Sequence, residues 1–455
     1  MADTTKKMTS GSPMKLILGF SIPMLAGLLF QQMYSLVDTI IVGQTLGKDA
    51  LAAVGSTGSI NFLINGFCMG VCSGFAIPVA QRFGAESYDS MRKFVGNAVV
   101  LSGMFAVILT VLVSIFCYDI LEIMNTPDNI INEAYSYIFI IFLGIPVTFL
   151  YNLTAGIMRS LGDSRTPTFF LLMASAINIV LDLLFIIVLG LGVSGPAIAT
   201  VISQLVAGTS CLIYMRKKFP ILRLCKNDWK LGKHHTAALI NMGIPFGLQY
   251  SITAIGSVIL QTAVNGLGSD AVASITAGAK ISMFVVCPFD ALGATMATFA
   301  GQNIGAKQVD RVKKGAWTAQ LLGSIYSVAI FAFIFFFGKI LLLLFISSSE
   351  KVIIEQAYMF LLANSLAYIL LAAVNIFRFS IQGMGFSHFA ILAGVMEMLA
   401  RSLVAFTLVP LFGFKGAILA NPVAWIFADI FLIPGLYRCC KVLEKRFAKE
   451  MGHEF

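Results

Sequence analysis

Charge is scarce in this chain. Asp, Glu, Lys and Arg make up 12% of its 455 residues, about half of the roughly 25% usual in soluble domains. Acidic residues number 22 and histidines only four, so the side chains that most enzymes use for proton transfer and metal binding are in short supply. No phosphate-binding glycine loop and no Ser-His-Asp pattern occurs, so nucleotide hydrolysis would need a separate subunit, and an enzyme is not expected. The eight Cys do not form a disulfide framework. Cys68, Cys72, Cys211 and Cys287 lie in apolar runs, and Cys439 and Cys440 lie in a basic stretch. Cys68 and Cys72 are one helical turn apart but have no matching His or Cys pair, so they read as packing residues, and no cofactor is expected.

Apolar residues are abundant instead, at 58%, with 38 Phe and 20 Met and a mean hydropathy of +0.89. A water-soluble fold of this length has too little interior to hide so much apolar surface, which leaves the lipid bilayer as partner. The net charge is +9. Its basic residues sit in short gaps between apolar runs and are not gathered with aromatics on one face, so nucleic acid is not an expected partner.

Twelve apolar runs read as membrane helices, near 15–44, 50–78, 92–117, 131–157, 167–190, 195–215, 237–264, 271–300, 315–345, 351–380, 388–410 and 416–437. Each can cross about 30 Å of hydrocarbon at about 1.5 Å per residue. The first run continues past Ile41, too long for the core of a cleaved signal. The division expected is a cytoplasmic tail (1–14), a first lobe of six helices (15–215), a cytoplasmic linker (216–236), a second lobe of six helices (237–437) and a basic tail (438–455). With the N-terminus inside, 24 Lys and Arg fall in cytoplasmic segments and four in external ones. That bias puts both termini in the cytoplasm of a multi-pass cell-membrane protein. Lys280, Arg378 and Arg401 remain inside spans.

The halves repeat. Ser21-Ile22-Pro23 matches Gly243-Ile244-Pro245, and Leu46-Gly47-Lys48-Asp49-Ala50 matches Leu267-Gly268-Ser269-Asp270-Ala271. Ala80-Gln81-Arg82-Phe83-Gly84-Ala85 matches Gly301-Gln302-Asn303-Ile304-Gly305-Ala306, in helix ends where Gly would allow tight turns. An even number of helices per half makes the repeat parallel, which suits a transporter whose halves rock. The fold class expected is all-α, with twelve transmembrane helices in two pseudo-symmetric six-helix lobes around a central cavity. A monomer is expected: the Gly66, Gly70, Gly74 spacing permits close helix packing and reads as intramolecular.

Asp38 lies deep in the first run and Asp182 in the fifth. A carboxylate at membrane depth costs several kcal/mol unless paired or protonated, and so usually marks function. Gln31, Tyr34, Ser35 and Asp38 share one helical face, Asn178 and Asp182 are one turn apart, and Thr200, Ser203 and Gln204 form a polar stripe. If these faces converge, two carboxyls meet among hydroxyl and amide groups, and the site can load and release H+ or hold Na+. Pro23, with Gly27 one turn on, interrupts the backbone bonding of the first helix and makes it a candidate hinge or static kink.

The segment Gln31-Gln32-Met33-Tyr34-Ser35-Leu36-Val37-Asp38 resembles the first helix of multidrug and toxic compound extrusion (MATE) transporters, part of the wider multidrug/oligosaccharidyl-lipid/polysaccharide flippase superfamily. The likeness extends over nearly the whole chain. In the DinF-like branch a cation site uses residues that fall here on Asp38, Tyr34, Asn178, Asp182 and Thr200. The resemblance implies H+- or Na+-coupled antiport of small, amphipathic, often cationic organic compounds. A lipid-linked saccharide flippase is the rival within the superfamily, and a receptor or channel the rival outside it. The chain departs from the NorM-like branch: its seventh helix has Gln261 and no acid, and its tenth has Arg378.

The second half carries other charges. Glu397 and Arg401, one turn apart, read as a buried structural pair. Lys280 and Asp290 either pair or line the cavity, and a basic cavity there would favour anionic substrates. Arg378 lies toward the cytoplasmic end of its span and is expected to snorkel to the interface.

Overall fold

The computed structural model describes residues 6–124 and 126–450. The ends of the two expected tails, 1–5 and 451–455, lie outside them. The described residues are helical and contain no strand. Ten helices are long and apolar enough to cross a membrane, and two bent pairs bring the number to twelve.

The spans are α1 (Pro13–Thr45), α2 (Gly58–Gly84), α3 (Tyr88–Ile115), α4 (Ile131–Leu143 with Ile145–Ser160), α5 (Arg165–Leu183), α6 (Ser194–Lys218), α7 (Lys233–Asn265), α8 (Ser269–Gly305), α9 (Val309–Leu342), α10 (Lys351–Leu366 with Tyr368–Gly383), α11 (His388–Phe406) and α12 (Ala420–Glu450). The break in α4 bends it by 44° and that in α10 by 50°. The α5 helix continues as a π-helical turn over Leu184–Val188. Large apolar side chains such as Val107, Val111, Ile115, Phe336 and Ile430 stand exposed along the spans, the surface expected of helices bathed in lipid rather than water.

The repeat is visible in the backbone. Left-handed Gly47, Gly162, Gly192 recur as Gly268, Gly385, Gly413. Among the described residues, the two non-glycine residues with positive φ are likewise equivalent, Glu86 at 56° and Lys307 at 59°. This corrects one detail of the sequence reading. Gly84 and Gly305 end their helices, but the left-handed turn falls two residues later, on Glu86 and Lys307. Each of the two is tied by an ion pair, Glu86 to Lys7 at 2.5 Å and Lys307 to Glu450 at 3.0 Å.

By internal packing the chain forms two units. Among the described residues, the first holds 6–7 and 26–247 and the second holds 8–25 and 248–450. The division therefore falls within α1 and α7, beside Pro23 and Pro245, and not in the segment 216–236. That segment is folded onto α3: Asn97 donates to the Lys230 carbonyl at 3.0 Å and accepts from the Gly232 amide at 3.1 Å. The expected basic tail is helical as far as Glu450, a direct continuation of α12.

Within the first unit α2 packs on the second segment of α4, and α5 on α6. The start of α7 closes on α2 through glycine. A Cβ on Gly70 would stand 2.6 Å from the Gly247 Cα, and one on Gly74 would stand 2.6 Å from the Gly243 Cα. In lipid, where apolar burial drives helix association only weakly, such close backbone packing is a main source of cohesion. Cys68 and Cys72 are fully buried in the same core with Phe75 and Phe149, as packing residues. In the second unit α8 packs on the second segment of α10, and α11 on α12, around the buried Phe289, Phe299, Tyr368 and Phe377.

Candidate cation site in the first unit

The site is built from residues that three helices aim at one another. Asp38 projects from α1 about two turns before its end, Asp182 from the last turn of α5, and Thr200 from the second turn of α6. Spacing of 3.6 residues per turn puts Tyr34 and Asn178 one turn before the two acids. Asp182 is fully buried and Asn178 nearly so, whereas Asp38, Tyr34 and Thr200 are partly buried. Asn178 donates to the Thr200 hydroxyl at 3.4 Å, joining α5 to α6. The Asp38 and Asp182 carboxyls are close enough to act on each other electrostatically, and Tyr34 is close enough to feel both. Tyr34, Asp38 and Asp182 thus interact with one another, and Asn178, one turn before Asp182, is bonded to Thr200.

The electrostatics of this arrangement favour a cation. Two ionised carboxyls can only accept hydrogen bonds and repel at close range. Asp38 Oδ1, both Asp182 oxygens and Asn178 Oδ1 are shielded from solvent, and no donor reaches them. Buried oxygen acceptors without donors fit a proton shared between carboxyls, or a hard cation such as Na+ that takes oxygen ligands.

A sixth residue joins the group. Tyr137, on the first segment of α4 and nearly buried, lies within electrostatic reach of Asp38, Tyr34 and Asp182. Its sequence gives little sign of this. It stands in a Tyr-Ser-Tyr run near the start of a helix, where aromatics commonly mark a membrane interface.

The other candidates divide. Gln31 is partly buried on the Asp38 face, and Ser35 is exposed. The Ser203 hydroxyl is turned back to the Thr200 carbonyl at 3.0 Å, and Gln204 accepts from Thr148 of α4 at 3.1 Å. Pro23 lies within a helix that runs unbroken from Pro13 to Thr45. Gly27 allows contact with α5, since a Cβ there would stand 3.1 Å from Thr168 Cγ2.

In the second unit Gln261 is exposed and donates to Asn265 one turn on, at 2.9 Å. Asp290 accepts from Asn375 at 3.1 Å, and Lys280 is exposed, so these two charges do not pair. Glu397 and Arg401 do pair, at 3.3 Å. Arg378 does not snorkel. It is 5% exposed and forms a buried ion pair with the same Glu397. Its partner is 19 residues away on the next span, beyond the reach of a local helical rule.

The MatE family model matches residues 23–184 and, again, 245–407, which recovers the internal repeat. Among relatives, the probable multidrug resistance protein YoeA of Bacillus subtilis is 30% identical over 394 residues, 84% of this chain and 83% of the relative. A FAD transporter of Shewanella oneidensis is 26% identical over 367 residues, 80% of each chain. Among solved structures, the outward-facing conformation of a multidrug resistance MATE family transporter superposes with a TM-score of 0.91 at 23% identity, covering 98% of this chain and 99% of that one.

Proposed function

The chain belongs to the MatE family of multidrug and toxic compound extrusion transporters, and from that premise we propose that it exports small organic compounds by antiport against H+ or Na+. Membership supplies the transport activity, and relatives named as multidrug resistance proteins supply the substrate class. The observation that carries the coupling is the pair Asp38 and Asp182, with oxygens shielded and undonated on two helices of one unit. A cation arriving there relieves the repulsion between the carboxyls and draws α1 and α5 together. Its loss frees α1 to move. A site that alternates between these conditions can bias which side of the membrane the substrate path faces. Both termini lie on the cytoplasmic side of the cell membrane in this reading, and the protein works as a monomer of the DinF-like branch.

The test is export from proteoliposomes under a proton gradient, then under a sodium gradient. Asp38→Asn should abolish gradient-driven export while leaving the protein folded. Export by Asp38→Asn equal to that of the parent under both gradients would overturn the coupling assignment. Substrates should include cationic dyes and a flavin nucleotide, because the accessible Lys280 in the second unit gives an anion something to meet.

A further inference from the structure

The second unit holds its own intramembrane charge cluster. Glu397 on α11 pairs with Arg378 on α10 and with Arg401 one turn away. That triad carries two positive charges and one negative. Asp429 on α12 is 4% exposed and within electrostatic reach of Arg378. No hydrogen-bond donor reaches either of its oxygens, and Arg378 Nε and Arg401 Nη1 are also undonating.

We propose that Asp429 is a second proton-binding site, in the second unit, with the guanidinium of Arg378 as its counter-charge. Ionised, Asp429 balances the one positive charge left over by the triad. Protonated, it leaves that charge uncompensated, so one proton switches the cluster between neutral and cationic. The other nearby carboxyls are committed: Glu397 is held by two guanidiniums, and Asp290 accepts from Asn375. Asp429, with both oxygens unpartnered, can gain or lose a proton without breaking a hydrogen bond. The charged group that acts on it is Arg378 from α10, whose own partner is Glu397 of α11. The α9 helix meets α12 farther along, where Lys313 is bound to Glu444, and the first segment of α10 offers the neutral Asn364 to Asn421 at 3.0 Å. Tyr250 of α7 senses both Arg378 and Asp290.

The fold does not require these charges. The equivalent residues of the first unit are Ala155 for Arg378, Ala174 for Glu397 and Gly208 for Asp429, and that unit builds the same helix pairings without them. A buried ionic cluster adds little net stability over apolar packing, so its presence calls for another role.

The proposal does not depend on Asp38 being the coupling site, and its experiment separates the two. Infrared difference spectra of the purified protein in lipid nanodiscs, between acid and alkaline buffer, report each titrating carboxyl by the carbonyl band of its protonated form. Asp429→Asn should remove one pH-dependent band that Asp38→Asn and Asp182→Asn leave in place, and Asp429→Glu should shift that band. A set of bands unchanged in Asp429→Asn, unshifted in Asp429→Glu, would overturn the proposal. So would a band lost in Asp429→Asn that does not respond to pH in the parent, since its proton would never leave.

Discussion

Arg401 stands in the second unit where Asn178 stands in the first. Asn178 donates across to Thr200 on the following helix at 3.4 Å, and Arg401 donates across to Asn421 on its following helix at 3.5 Å. The acids of the first unit have no such counterparts: Asp38 corresponds to Leu260 and Asp182 to Ala405. One repeat holds a pair of carboxyls, and the other holds guanidinium cations fixed to the chain and paired with Glu397.

Placing the fixed cation in the first unit should imitate permanent occupancy. Asn178→Arg puts a guanidinium beside Asp38 and Asp182, where it can bond both carboxyls. Gradient-driven export should fall by at least about tenfold, within the span of ordinary coupling energies, with thermal stability retained. Proteoliposome export and a melting curve measure the two, and export at the parental rate would contradict the assignment.

Tyr137→Phe removes a hydroxyl beside the two acids without changing the shape of the core. A hydrogen bond of ordinary strength contributes about 0.5–1.5 kcal/mol, so the coupling cation should bind about 2- to 12-fold more weakly. The cation concentration giving half-maximal export reads this directly. An unchanged value would place Tyr137 outside the site.

Glu397→Gln leaves Arg378 and Arg401 buried without their shared anion. Breaking a buried pair by removing one partner typically costs about 3–5 kcal/mol, so this variant should melt well below the parent. Replacing all three residues with apolar ones, Arg378→Met, Glu397→Leu and Arg401→Met, should recover most of that loss. A stable Glu397→Gln protein would show that the triad is hydrated.

Gly74→Ala drives a methyl to 2.6 Å from the Gly243 backbone, and overpacking of this kind costs about 1–3 kcal/mol. Gly103→Ala, with nothing within 4 Å of its added Cβ, should be neutral or slightly stabilising. Melting of the two variants side by side checks the contact, and equal midpoints would deny it.

The sequence made the spans and the carboxyl pair legible because both signals are local. A run of apolar residues must be helical in lipid, and an acid in that run is conspicuous. Asp38, Tyr34, Asn178, Asp182 and Thr200 needed only helical spacing and a family likeness to be gathered. Tyr137 was not legible, because an aromatic in an apolar helix has many ordinary uses. Arg378 departs from its expected interfacial place for a related reason: its partner Glu397 lies on another span, and depth along a helix does not reveal what faces it. The breaks in α4 and α10 also escaped the hydropathy pattern, since Gly144 and Ala367 leave the apolar run uninterrupted.

The assignment of 8–25 to one unit and 233–247 to the other bears on how the protein is made. The ribosome releases Met8 and the opening turns of α1 long before Gln302 and Asn303 of α8 and Arg311 of α9, which bind Met8, exist. The first unit is likewise incomplete until the opening turns of α7 have emerged. A gene split in the linker between Lys218 and Lys233 would deprive each fragment of a helical segment it needs, so neither should mature alone, whereas co-expression of the two fragments could restore a working pair.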